Sequence, residues 1–179
     1  FYHYLFYSSK IPGVASCLSD NNVHDIYQDK KGDIWIGTFG GGLNKLLKKA
    51  TVSEPAHFQA YTMKSSGAFN DIVLCILEDK FGNLWVSSEN VISRFDVENN
   101  TFQNFNVLGG TSDSYFSEAA GAVFASNKLA FGSNKGLVVF DPIRILRSDD
   151  VPNIEFTRFQ LFNQDVPVGV PGSPLKQSI

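Results

Sequence analysis

The amino-acid sequence predicts an all-β fold of repeated four-stranded antiparallel sheets, and three observations carry that reading. The first is an internal repeat: Ile26-Tyr27-Gln28-Asp29-Lys30-Lys31-Gly32-Asp33-Ile34-Trp35-Ile36-Gly37 aligns with Ile76-Leu77-Glu78-Asp79-Lys80-Phe81-Gly82-Asn83-Leu84-Trp85-Val86-Ser87 at an offset of 50. The second is a weaker third copy, in which Leu129-Ala130-Phe131-Gly132 falls on Leu84-Trp85-Val86-Ser87 at an offset of 45. The third is the interior of each copy, where short apolar runs are separated by Asp, Asn and Gly as strands are separated by hairpins. Four short strands in a period of about 45–50 residues is the pattern of β-propeller blades.

Within each copy the elements follow in order. The first strand, expected near 23–29 and 72–79, is apolar or mixed on both faces, which places it innermost with sheets on either side. The Asp-x-x-Gly-Asp/Asn turn suits a tight hairpin, because the Asp carboxylate can accept a backbone N–H two residues on and Gly supplies a positive φ. The second strand, near 33–38 and 83–88, carries Trp35 and Trp85, side chains large enough to demand a place between packed sheets. The third strand is expected near 42–47, 91–96 and 137–141. The fourth, near 57–62 and 101–106, carries Phe58/Tyr61 and Phe102/Phe105, a pair repeated at Phe1/Tyr4, so the chain is expected to begin inside a blade. In the third copy the tryptophan is gone, and the turn reads as shortened to Asn127-Lys128. Three blades make an incomplete ring, since propellers close with about four to eight.

Composition narrows the function. A charged fraction of 18% and a net charge of −3 present no basic field, so nucleic acid is not an expected partner. Cys17 and Cys75, in different copies, are not expected to bond to each other. Those cysteines and His3, His24 and His57 show no metal-ligand spacing, and no metal or other cofactor is expected. No apolar run reaches about 18 residues, and Phe1 to Ser9 lacks a basic leader, so no targeting signal is expected within the chain.

The run Leu18-Ser19-Asp20-Asn21-Asn22-Val23, followed by Asp29, Gly32, Ile34-Trp35-Ile36-Gly37-Thr38 and Gly40-Gly41-Gly42-Leu43-Asn44, resembles the two-component regulator propeller repeat. The second copy departs from it at Ser87-Ser88-Glu89-Asn90, and the resemblance extends over roughly residues 1–142. After a mixed linker at 143–150, Val151 to Asn163 is similar to the opening strand of the three-tyrosine immunoglobulin-like domain that follows such propellers, so 151–179 is expected to be the truncated start of an Ig-like sandwich. The resemblance implies the periplasmic sensor region of a Bacteroides-type hybrid two-component system. It further implies an oligosaccharide ligand, a homodimeric full receptor, the missing remainder of the same propeller as a partner, and a kinase located in a cytoplasmic part.

Several sharper motifs reduce to turn chemistry. Gly37-Thr38-Phe39-Gly40-Gly41-Gly42 leads into a strand instead of the helix a phosphate loop requires. The segments 29–33 and 79–83 lack the alternating ligands and closing glutamate of a calcium loop, and Asn99-Asn100-Thr101 reads as a strand-linking turn. No nucleophile, base and orienting group assemble by spacing, so no catalytic residue is assigned and the fragment is read as non-enzymatic. A structural scaffold with its ligand site elsewhere, and a propeller glycosidase or lyase, stand as the alternatives. The loops expected at one end of the blades, Phe39-Gly40 among them, carry two aromatic rings and the candidate ligand-binding residues Asn22, Asp71, Glu89, Asn90, Tyr115 and Asn134, a set suited to a hydroxylated ligand.

Overall fold

The computed structural model describes residues 17–49, 51, 56–108, 113–146, 160–161 and 164–166. The chain forms two compact units, 1–146 and 147–179. In the first, β1 (Val23–Gln28), β2 (Ile34–Thr38), β3 (Leu43–Lys48) and β4 (His57–Tyr61) make one antiparallel sheet in chain order. A short helix, α1 (Met63–Ser66), leads to a second sheet of β5 (Cys75–Glu78), β6 (Leu84–Ser87), β7 (Ile92–Asp96) and β8 (Thr101–Phe105). The third sheet has three strands among the described residues, β9 (Phe116–Val123), β10 (Leu129–Ser133) and β11 (Gly136–Phe140), followed by helix α2 (Pro142–Leu146). Residues 143–146, read from sequence as linker, are therefore helical. In the second unit, β12 (Gln160–Leu161) pairs antiparallel with β13 (Gln164–Asp165). The Phe1/Tyr4 pair and most of the segment compared with an Ig-like strand lie outside the described residues.

The first hairpin shows why this sequence turns where it does. Asp29 Oδ1 accepts N–H groups from Lys31 at 3.0 Å and Asp33 at 2.8 Å, and Gly32 takes φ +87°. Asp29 Oδ2 then accepts the Trp35 indole N–H at 2.8 Å, a bond the spacing alone did not reveal. The second sheet repeats it: Asp79 Oδ1 accepts from Phe81 and Asn83, Oδ2 accepts from Trp85 at 3.0 Å, and Gly82 takes φ +85°. One carboxylate thus closes the turn and satisfies the polar atom of a tryptophan that is 0% exposed.

The third hairpin is not shortened. Phe124 N–H donates to Lys128 O at 2.9 Å and Asn127 N–H to Phe124 O at 2.8 Å, the ladder seen at Asp79 and Asn83, and Asn127 takes the positive φ (+61°) that Gly82 takes before it. Phe124 stands where Asp79 would, and Ala130 where Trp85 would. Acceptor and donor disappear together, as expected when either alone would leave a buried polar group without its partner.

Each tryptophan fills the seam to the following sheet. Trp35 packs with Tyr61 of its own fourth strand (5.9 Å between ring centroids) and Phe95 of the next sheet's third strand (5.7 Å). Trp85 meets the matching pair, Phe105 at 5.5 Å and Phe140 at 5.0 Å. Leu43, Ile76, Leu84 and Val86 complete the first seam; Leu74, Leu77, Leu129 and Phe131 complete the second.

The first strands lie side by side, as expected of innermost strands. Asp25 Oδ2 accepts the Ile76 N–H at 2.7 Å, and Leu74 O accepts from Ala119 at 2.9 Å. Burial differs along the series: all of β5 is buried, whereas β1 leaves Ile26 66% exposed, because among the described residues only β5 has a sheet on both sides. β5 also begins later than expected, at Cys75. Ile72 instead pairs with Phe39 of the first sheet, and Val73 N–H donates to Thr38 O at 2.9 Å.

Polar groups in the first seam are similarly matched. The buried Glu78 carboxylate accepts from Lys30 N–H at 3.0 Å and from the Tyr27 hydroxyl at 3.4 Å. Burial, with Glu78 beside it, pushes the Tyr27 hydroxyl up to about 12. Burial, with the Asp25 carboxylate next to it, pushes the Cys75 thiol up to about 12 as well, and Cys75 forms no disulfide with Cys17.

Candidate functional site

At the end of the sheets away from these hairpins, the β2–β3 loop of the first sheet, the β6–β7 loop of the second and the segment leading into β9 enclose a cleft of about 530 Å³. Its floor is Leu74 and Phe116, both buried. Its rim carries two exposed aromatic rings, Phe39 (44%) and Tyr115 (55%). Between them Glu89, Asn90, Ser114, Ser117 and Glu118 supply the polar lining.

Backbone geometry fixes the rings. Phe39 N–H donates to Asn22 O at 2.9 Å, and its ring stacks on the His24 imidazole at 5.3 Å. β2 ends just before Phe39 and a glycine turn follows it, with Gly40 at φ +122° and Gly42 at φ +73°, both donating to Asp71 O at 2.9 Å. The glycine run is therefore turn geometry, as its sequence context predicts. On the other side, Tyr115 N–H donates to the Asn134 side chain at 2.9 Å, Asn134 N–H returns a bond to Tyr115 O at 3.0 Å, and the Asn134 amide donates to Asp113 O at 2.7 Å. Phe116 N–H donates to Glu89 O at 2.7 Å, which joins the second and third sheets at the base of the cleft.

Of the six residues singled out from sequence, the structure brings Glu89, Asn90 and Tyr115 together in the cleft. The other three hold loops. Asn22 supports Phe39 through its carbonyl and closes an Asx turn with its N–H on Asp20 Oδ1 at 2.7 Å. Asp71 accepts the Met63 N–H at 2.6 Å, tying α1 to the glycine turn, and Asn134 positions Tyr115. Sequence reading missed Glu118. It lies on β9, where Ala119 takes φ +47° and the pairing with β10 shifts register, so the repeat offset no longer predicts which side chains face the loops. His24 Nδ1 lies 3.3 Å from Glu118 Oε1, outside hydrogen-bonding geometry.

The cleft is equipped to bind. Its two exposed rings offer apolar faces, and its carboxylate, amide and hydroxyl groups offer hydrogen-bond partners. Glu89 and Glu118 share the lining but both face solvent, with Glu118 67% exposed. Among the described residues no group of three or more His, Cys, Asp and Glu side chains could hold a metal ion.

Comparison with known proteins places the repeat. The chain carries two-component regulator propeller repeats, matched at residues 17–40 and 66–90. Over 112 residues it is 24% identical to Histidine kinase P4 of Formosa agariphila, an alignment covering 63% of this chain and 8% of that protein. Its fold is shared with the extracellular domain of the hybrid two-component system BT3049 from B. thetaiotaomicron (TM-score 0.61, 23% identity, 83% of this chain and 20% of that one). It is also shared with the extracellular domain of the hybrid two-component system BT4673 from the same organism (TM-score 0.58, 24% identity, again 83% and 20%). The chain therefore spans about a fifth of those structures and a smaller part of the curated relative.

Proposed function

We propose that this chain is the ligand-sensing portion of the extracytoplasmic, periplasmic region of a hybrid two-component sensor histidine kinase, and that an oligosaccharide binds in the cleft between its second and third sheets. The observation that carries the reading is the pairing of two exposed rings, Phe39 and Tyr115, across a polar lining in a cleft of about 530 Å³. The propeller repeats and the likeness to extracellular domains of hybrid two-component systems support its place in such a receptor. In this reading the rest of the propeller completes the ring, the receptor is a homodimer, and ligand binding biases a kinase in a cytoplasmic part. The cleft recognises its ligand without transforming it.

Titration calorimetry of the chain against a panel of short oligosaccharides tests this reading. Tyr115→Ala is expected to weaken the binding oligosaccharide roughly 30-fold, the loss typical of an aromatic anchor. The melting temperature should stay near that of the parent, because the side chain is half exposed and the backbone bonds to Asn134 remain. Mass spectrometry should return the saccharide uncleaved. Binding unchanged by the substitution would favour a scaffold whose ligand site lies elsewhere, and cleaved products would favour the glycosidase alternative.

A further inference from the structure

The charges lining the cleft carry the reading one step further, to the class of saccharide, and this step rests on the cleft being the saccharide site. Two of its lining residues are charged, Glu89 and Glu118, and both are acidic; among the described residues no lysine or arginine lines it. The basic group on the adjoining loop, Lys135, already has its ammonium 2.8 Å from Asp113 Oδ2. His24, its side chain 8% exposed, is stacked on Phe39 with Nδ1 3.3 Å from Glu118 Oε1 and is not itself among the lining residues. A carboxylate or sulfate on the ligand would thus lose water and meet two carboxylates with no lysine or arginine among the described lining residues to offset them, whereas a protonated amine would meet both favourably.

We infer that the cleft selects saccharides that are neutral or carry amino groups, and discriminates against uronic-acid and sulfated ones. Hydroxyl groups donate to Glu89 and Glu118, an ammonium adds a charge-assisted bond, and Phe39 and Tyr115 offer faces that also attract a cation. The walls are open to solvent, so the discrimination should be moderate and should shrink as salt is added.

Three trimers built on one β-1,4-glucan backbone isolate charge from shape: cellotriose, the fully de-N-acetylated chitosan trimer and the cellouronate trimer. In calorimetry at low salt the expected order is chitosan tightest and cellouronate weakest, with roughly tenfold between the extremes. The double substitution Glu89→Gln and Glu118→Gln should bring the three affinities together. Cellouronate binding as tightly as chitosan, or an order that survives the double substitution, would overturn the charge inference and leave saccharide binding in the cleft standing. If Tyr115→Ala left the affinity of every binding trimer unchanged, the cleft itself would be the wrong site, and both readings would fall.

Discussion

Trp85→Ala is expected to cost the chain about 3–5 kcal/mol of stability, the range for deleting a large buried aromatic. Trp85 is 0% exposed and fills the seam between the second and third sheets against Phe105 and Phe140. Alanine would leave a cavity there, and it would also strip Asp79 Oδ2 of the indole N–H it accepts at 3.0 Å. Trp85→Phe separates the two contributions, because it keeps most of the apolar bulk and removes the donor; its expected cost is about 1.5–3 kcal/mol, that of one lost hydrogen bond to a charged group, since Asp79 Oδ2 still accepts from the Asn83 side-chain amide at 3.2 Å. Urea unfolding followed by circular dichroism measures both. A loss below about 1 kcal/mol for alanine would mean that the seam between the sheets is not the core.

Gly42→Ala is the second large effect. Gly42 sits at φ +73°, and a Cβ built there falls 2.3 Å from the Tyr61 carbonyl oxygen, a backbone atom that cannot rotate aside. Left-handed strain and forced backbone movement together are expected to cost about 3 kcal/mol or more. Gly67 is the control. It has a similar φ of +78° but no atom within 4 Å of the same construction, so Gly67→Ala should cost only about 1 kcal/mol of conformational strain. Because Gly42 belongs to the turn that presents Phe39, its alanine variant should also weaken saccharide binding more than Gly67→Ala does. Equal unfolding midpoints for the two variants would show that close approach to Tyr61 is not what this glycine provides.

The strands, the hairpins and the two tryptophans were legible in the sequence because each depends on residues a few positions apart. Asp29 and Asp79 close turns with N–H groups two and four residues on, and a repeat at an offset of 50 displays that pattern twice. What was not legible depends on contacts between copies or on their decay. The Asp29–Trp35 and Asp79–Trp85 bonds need the carboxylate's second oxygen to face the neighbouring strand, which only the folded hairpin shows. The third hairpin looked short because Phe124 and Ala130 replaced the residues that mark it, although its backbone bonds are kept. Half of the proposed ligand residues met in one cleft, since loops at one end of successive sheets are neighbours in any such arrangement. Glu118 escaped because a bulge on β9 breaks the alternation that would have aimed it.

Amide chemical-shift mapping of the ¹⁵N-labelled chain, titrated with whichever of the three trimers binds most tightly, tests the central claim most directly. The account predicts shifts concentrated on Phe39, Glu89, Asn90, Tyr115, Ser117 and Glu118, with the amides of Gly32, Gly82 and Asn127 at the other end of the strands nearly unmoved. Shifts centred on those hairpins or on residues 147–179, with the cleft amides unmoved, would contradict it.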